Sequence, residues 1–386
     1  HIHIFQRELN PNLFRVDLTL GKQDNRLNVP RLREQVYRAE LGGAPAEAGE
    51  GGDVAGEGLG VAADVDDAAR LHFVDCRDAL RRTARAGRVK EHYIRVQALP
   101  GRGGHPFGGV GADKAGICNF VVAGIGGGKM LDIAKAVAFY AELPLCVCPT
   151  AASMDGPCSA ISVLYHEDGS FDRYLMLEKN PDLVVVDTNV VAAAPLRMTV
   201  AGMGDALATY FEARSCAAAR GANEHGGAPG HLALVAARAC YDTLMECGIA
   251  AKRDLKKGRT SPAVERLIEC NILLSGVGFE SGGLALAHAI ANGLTILPEC
   301  KAMHGEAVAF GLAVQLRLER APELNQVLEF CQRVGLPTTL EELGLGEISD
   351  ADLMSVADAA FRNERNMANE QAKATKQKLV QLMREA

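Results

Sequence analysis

The chain has 386 residues, 48% hydrophobic and 23% charged, the profile of a soluble globular protein long enough for two domains with large cores. Its net charge of -7 argues against nucleic acid or an anionic membrane surface as a partner, and no apolar run reaches the ~18 residues of a membrane span. Eleven cysteines, without a CxxC pair and often inside apolar runs, read as reduced thiols used as small core residues in a cytoplasmic protein.

Residues 5–20 alternate enough for one or two strands, and residues 31–39 fit a helix. Residues 42–69 then read GGAPAEAGEGGDVAGEGLGVAADVDDAA, glycine, alanine and acid with almost nothing large to bury, as in a flexible insertion. Residues 77–88 are basic and loosely helical, a solvated face, and 99–111 are rich in glycine and proline. Two readings of residues 1–118 stay open: an atypical first half, or a stretch translated out of frame, which resequencing the gene separates.

From Asn119 the pattern is clean. Residues 120–123 form a short apolar, β-branched run expected to be a buried strand. Gly124, Gly126, Gly127 and Gly128 follow and let the backbone turn. Beyond Met130 the residues Leu131, Ala134, Ala138 and Ala141 fall on one helical face. Strand, glycine turn and helix aim N–H groups and a helix N-terminus at an anion, a diphosphate by preference, with Lys129 as a point charge beside it. The spacing is neither GxGxxG nor GxxxxGK[ST].

Residues 143–148 predict a second buried strand, followed by the polar loop TAASMDGPCS at the strand-end edge where open α/β sheets bind ligands. Residues 161–165 and 171–176 predict a hairpin turning at Asp168-Gly169, and 183–186 one more strand. After Pro195 helical spacing takes over, at 199–218, 231–252, 262–274, 283–297, 306–320 and 322–334. Ser261-Pro262 and Ser349 mark helix starts, Gly335 and Pro337 a stop, and residues 371–386 a terminal helix. The expected architecture is an α/β nucleotide-binding half, residues 1–195, followed by an all-helical half, residues 196–386.

Asp205 lies among Met203, Ala206 and Leu207, where a helix has little reason to bury a carboxylate. His288 sits on a small, apolar helix and His304 at a helix start. A lone histidine on an apolar helix is more often a satisfied core residue than a ligand. Two of them with a misplaced aspartate shift the balance, since one carboxylate and two imidazoles make a catalytic zinc set with a position left open.

The stretches GIGGGKMLDIAKAVA, DGPCSAISVLYHEDGSFDRYL, NPDLVVVDTNVVAAAP, VAGMGDALATYFEA, LLSGVGFESGGLALAHAIANGLT and VGLPTTLEELGL resemble the glycerol dehydrogenases. These are a zinc-dependent branch of the iron-containing alcohol dehydrogenase and dehydroquinate synthase superfamily. The resemblance runs from about Asn119 to Leu345. It implies a Rossmann-like N-terminal domain, a helical C-terminal domain of the dehydroquinate synthase kind, and an active site in the cleft between them. It implies oxidation of glycerol to dihydroxyacetone with NAD as acceptor, and a homo-oligomer. Carried over by motif, Asp205, His288 and His304 bind zinc; Gly127, Gly128, Lys129 and Asp132 meet the cofactor diphosphate. Thr150, Ser153, Ser159, Ile161 and Tyr165 line the rest of NAD, and Asp155 faces the substrate.

The iron-dependent relatives carry a histidine four residues after the aspartate, where this chain has Thr209, which favours zinc. Three features depart from the family. The acidic ribose-binding motif after a VVG-like strand is absent from residues 1–118; Ala291 stands where a second histidine is common; and the likeness fades past Gly346. Two rivals follow. The SMDG loop at Ser153–Gly156 is similar to that of glycerol-1-phosphate dehydrogenases, though no basic cluster lies near Asp155 or His288 in the sequence. A catalytically silent homologue is the other.

Overall fold

The computed structural model describes residues 93–99, 119–165 and 171–386. The elements expected at residues 5–20, 31–39, 42–69 and 77–88, the glycine-rich run after Leu99 and the Asp168-Gly169 turn lie outside the described residues. The chain divides into two compact units, one running to Thr150 and resuming over Ala160–Val190, the other made of Ala151–Ser159 and Val191–Ala386.

Among the described residues the first unit holds a sheet in the order β1-β2-β3-β6, with β1 at Tyr93–Leu99, β2 at Asn119–Gly126, β3 at Leu145–Pro149 and β6 at Leu183–Val184. β1 runs antiparallel to β2, with Tyr93 opposite Ile125 and Leu99 opposite Asn119. β2 and β3 are parallel, Val122 opposite Leu145, and β3 continues the parallel order to β6. Helix α1 (Gly128–Ala141) connects β2 to β3 and buries Leu131, Ala134, Ala138 and Ala141, the stripe the apolar spacing gives. β4 (Ile161–Tyr165) and β5 (Phe171–Met176) pair as the expected hairpin.

β2 extends three residues beyond the apolar run, so Gly124 and Gly126 belong to the strand rather than to the turn. Gly124 is there for close approach: a Cβ on it would come within 2.5 Å of the Ala134 Cβ on α1. β1 has no counterpart among the expected elements. Its sequence YIRVQAL alternates apolar and polar residues, the period of a strand.

The second unit is largely helical. Its principal helices are α3 (Leu196–Ala218), α4 (His231–Leu255), α5 (Pro262–Glu269), α6 (Ser275–Gly282), α7 (Leu286–Leu294), α8 (His304–Glu319), α9 (Leu324–Val334), α10 (Asp350–Arg362) and α12 (Lys376–Glu385). The short helices α2 (Thr188–Ala192) and α11 (Glu364–Asn369) were not expected. Ser261 caps α5 and Ser349 caps α10 through their hydroxyls, and Gly335 ends α9 with φ of 80°. Met203, Leu207 and Phe211 on α3, Ile290 and Leu294 on α7 and Phe310 on α8 are fully buried, each stabilising the unit by roughly 1.5–3 kcal/mol.

The helix expected over 262–274 does not stop there. A π-helical segment at Cys270–Leu274 inserts between α5 and α6, and the helix runs on to Gly282. Among the described residues all nine cysteines are free thiols, most of them buried, as their apolar settings imply. No single described helix is long and apolar enough to cross a membrane. The observed classes of element agree with an α/β half followed by a helical half.

Candidate active site

In the α/β unit the feature of interest is the junction of β2 and α1. Gly126 has φ of 157°, outside the range most side chains adopt. Gly127 caps the helix with ordinary extended backbone, φ -82° and ψ -180°, and no side chain caps α1. A Cβ built on Gly127 would meet no heavy atom of the described residues within 4 Å. Neither conformation nor packing therefore calls for glycine at this position. A vacant approach to a helix N-terminus fits a phosphate group held by backbone amides. Lys129 is exposed beside it. Thr150, buried, donates its N–H to the Gly126 carbonyl at 3.0 Å and keeps the ends of β2 and β3 in register.

Asp132 lies deeper. It is buried where α1 packs on β4: its carbonyl accepts the Ser162 hydroxyl at 2.8 Å, and its carboxylate takes a hydrogen bond from the Val163 backbone. Burial pushes its pKa up to about 6, with nearby Lys135 pulling the other way. Lys135 is itself buried and donates to the Ile161 carbonyl at 2.8 Å. Ile161 and Tyr165 are on β4; the Tyr165 side chain lies outside the described residues. Gly127, Gly128, Lys129, Asp132, Thr150, Ile161 and Tyr165 thus belong to one unit, and Ser153, Asp155 and Ser159 to the other.

In the helical unit Asp205 stands mid-way along α3, His288 in the first turn of α7 and His304 at the first position of α8. One ligand atom from each comes within 4.8 Å of the others. Glycines make the approach geometrically feasible. A Cβ on Gly305 would lie 1.8 Å from the Ala201 carbonyl oxygen, and one on Gly204 2.2 Å from that of Gly305. The first turn of α8 therefore sits directly on the backbone of α3, and His304 reaches Asp205. Arg197, on α3, grips Glu306 of α8 at 2.7 Å through two nitrogens, and Glu306 in turn accepts the Met303 N–H.

Asp205 is fully buried. Its Oδ2 accepts the Asp155 N–H at 3.1 Å, whereas Oδ1 has no hydrogen-bond partner. Yet Oδ1 lies 3.3 Å from the Nε2 atoms of both His288 and His304. Those contacts are close without being aligned as hydrogen bonds. An orphaned anionic oxygen facing two imidazole nitrogens is costly as it stands and fits a shared divalent cation. Burial alone would raise the Asp205 pKa, but His304 and His288 outweigh it and hold the carboxyl well below the usual range.

Glu212 escaped the sequence reading. It lies seven residues, two helical turns, after Asp205 on the same face of α3, and it is fully buried. One oxygen accepts the N–H groups of Ala285 at 2.8 Å and His288 at 2.9 Å; the other lies 2.6 Å from His288 Nδ1. Burial works against charge on His288, but Glu212 and Asp205 together push its pKa well above the ordinary value. That i+7 spacing was the available signal. A glutamate on a helix is too ordinary for it to stand out.

Asp155 is buried next to this cluster, in the loop that follows β3. Its Oδ2 accepts the Ser275 hydroxyl at 2.9 Å, and Ser275 lies 2.9 Å from the Thr209 hydroxyl. Burial, followed by the charge of Asp205, pushes the Asp155 pKa well above the usual carboxylate range. Thr209, four residues after Asp205, is engaged by Ser275 and by the Asp205 carbonyl at 3.4 Å. Asn271, at the π-helical segment, donates to the carbonyls of Ala152 and Thr199 at 3.0 and 3.1 Å. Asn271 and Ser275, four apart across that segment, thus both hold the Asp155 loop. Neither was legible in advance. Ser159 is buried and donates its hydroxyl to the Gly156 carbonyl at 3.0 Å, and Ser153 is half-buried.

Comparison with known proteins points the same way. A family model described as iron-containing alcohol dehydrogenase matches residues 110–195. The chain is 53% identical over 253 residues to the glycerol dehydrogenase of Thermotoga maritima, a match covering 65% of this chain and 70% of that one. It is 54% identical over 241 residues to the glycerol dehydrogenase of Citrobacter freundii, covering 62% of this chain and 66% of the relative. Among solved structures, a probable glycerol dehydrogenase from Sinorhizobium meliloti 1021 is similar with a TM-score of 0.66 at 43% identity, over 68% of this chain and 75% of that one.

Proposed function

The chain belongs to the iron-containing alcohol dehydrogenase family and is an alcohol oxidoreductase, and from that premise we propose that it oxidises glycerol to dihydroxyacetone with NAD as acceptor and zinc as its metal. The observation that carries this reading is the convergence of Asp205, His288 and His304 on a buried carboxylate oxygen without a hydrogen-bond partner. The three residues would hold the ion. Zinc, when bound, supplies the Lewis acidity that a polyol hydroxyl, a very weak acid near neutral pH, needs in order to give up its proton. Thr209 supports zinc over iron, since its hydroxyl is committed to Ser275 rather than offered as a ligand.

The remaining residues have separate tasks. Asp155, held by Ser275 and through its own N–H by Asp205, offers a carboxyl group to orient a substrate hydroxyl. Gly127 leaves the α1 N-terminus open for the cofactor diphosphate, with Gly128 and Lys129 beside it. Thr150, Ser153, Ser159, Ile161 and Tyr165 are assigned to the remainder of NAD. Asp132 acts from the base of α1, as its burial against β4 supports. We assign the NAD-binding domain to residues up to 195 and the metal-binding domain to those from 196. Free buried thiols support a cytoplasmic setting. Exposed Leu232 and Val235 on α4 support a homo-oligomer.

The test is NAD-linked turnover by purified protein on glycerol and on glycerol 1-phosphate, with zinc content measured on the same sample. Glycerol is expected to be the better substrate. A preference for the phosphate would overturn the substrate assignment, and absence of NADH binding at millimolar cofactor would overturn the cofactor assignment.

A further inference from the structure

Two buried groups accept the free backbone N–H groups at the start of α7. Gln315 takes that of Ala287 at 3.0 Å, and Glu212 takes those of Ala285 and His288. Only Glu212 also meets the imidazole, at 2.6 Å from Nδ1. An ionised carboxylate has acceptors and no donor, so the hydrogen between them belongs to Nδ1. On a neutral ring this leaves the lone pair on Nε2, the nitrogen turned toward Asp205 Oδ1. We propose that Glu212 is the positioning residue of the metal centre: through one carboxylate it fixes the backbone, ring orientation and tautomer that make His288 a ligand.

The role is specific to a carboxylate. A glutamine side chain of the same shape has one acceptor and one NH2 group. With its carbonyl kept on the two backbone amides, the NH2 group faces Nδ1, which must then accept. The ring hydrogen moves to Nε2 and points where the cation belongs. With the amide turned over, the NH2 group opposes two N–H donors, and the helix start is disturbed instead. A carboxylate satisfies the backbone and the ring at once; an amide cannot.

This inference rests on the reading that Asp205, His288 and His304 hold a metal, and the test separates the two. The zinc dissociation constant of the full-length protein is measured by competition with a chromophoric chelator, and melting of the metal-free form is followed in parallel. Glu212→Gln should weaken zinc binding about 10- to 100-fold, the usual effect of losing a partner of a ligating histidine. Glu212→Asp, which keeps an acceptor-only group, should fall between that variant and the parent. Gln315→Met removes the other acceptor at the same helix start and should lower melting while leaving zinc affinity within about twofold of the parent. Should Glu212→Gln not fold, Glu212→Asp against Gln315→Met makes the same comparison. Unchanged zinc affinity in the Glu212 variants, or an equal loss in Gln315→Met, would overturn the positioning role alone. A parent protein that takes up no zinc would overturn the metal-site reading beneath it.

Discussion

The glycine junction of β2 and α1 and the three-helix cluster around Asp205 are built on opposite plans. The junction comes from consecutive residues and is open: among the described residues nothing lies where a side chain on Gly127 would go. The cluster comes from three helices distant in sequence, and most of its groups are held by others. Asp205 holds the Asp155 backbone, Ser275 holds Asp155, Glu212 holds His288, and Gly305 lies against Ala201. A site of the first kind should tolerate substitution at little cost to the fold. In a site of the second kind ligand binding and packing are coupled, so damage to one reaches the other.

Substitutions can break that contrast. The largest effect is expected for His304→Ala, which removes a ligand that is itself 44% exposed and carries little packing. Turnover should fall about a thousandfold or more, ~4 kcal/mol at 1.36 kcal/mol per decade, with zinc lost and NADH binding retained. Retained zinc in a folded variant would remove His304 from the set. Gly305→Ala comes next. Its Cβ would collide with the Ala201 carbonyl, so helices α3 and α8 must part at a cost of about 1–3 kcal/mol, and calorimetry should show lower melting together with weaker zinc binding.

Gly127→Val is the counterpart in the open junction. It should raise the Michaelis constant for NAD by ~10-fold or more while melting stays within about a degree of the parent. A large loss of stability in this variant would make the glycine structural, and unchanged cofactor binding would sink the phosphate assignment.

The smallest effect concerns pH. Burial pushes Glu370, close to Ser215 on α3, up to about 8 from an ordinary 4.5. A raised carboxyl pKa means that the folded state binds the proton more tightly, so its contribution is fully present below about pH 4.5 and is lost as pH rises through about 8. Glu370→Gln should therefore narrow the difference in melting temperature between pH 5 and pH 8 by a few degrees. An unchanged difference would place the pH dependence elsewhere.

The same contrast explains what the sequence could reveal. The β2–α1 unit was legible because strand, glycines and helix follow one another, and periodicity marks each. Asp205 was legible because a carboxylate among Met203, Ala206 and Leu207 is out of place, His288 because its helix is otherwise small and apolar, and His304 because it follows at a helix start. Glu212 was missed because a glutamate on a helix needs no explanation until its burial is known. Ser275 and Asn271 were missed because the π-helical segment shifts the helical phase, and periodicity assumes a constant one. The packing of Ala151–Ser159 with the helices depends on bonds such as Asn271 to Ala152, which chain order does not announce. β1 was legible in the alternation of Ile94, Arg95, Val96, Gln97 and Ala98, and was passed over between the basic residues 77–88 and the glycine-rich run after Leu99.

The central claim is that Asp205, His288 and His304 form one divalent-metal site on which glycerol oxidation depends. Calorimetric titration of zinc into chelator-treated protein, with NAD-linked glycerol oxidation assayed at each addition, tests it directly. Binding should saturate at one zinc per chain, and activity should rise from near zero in proportion to occupancy. Full activity in the metal-free protein, or zinc uptake unaffected by His304→Ala, would contradict the account.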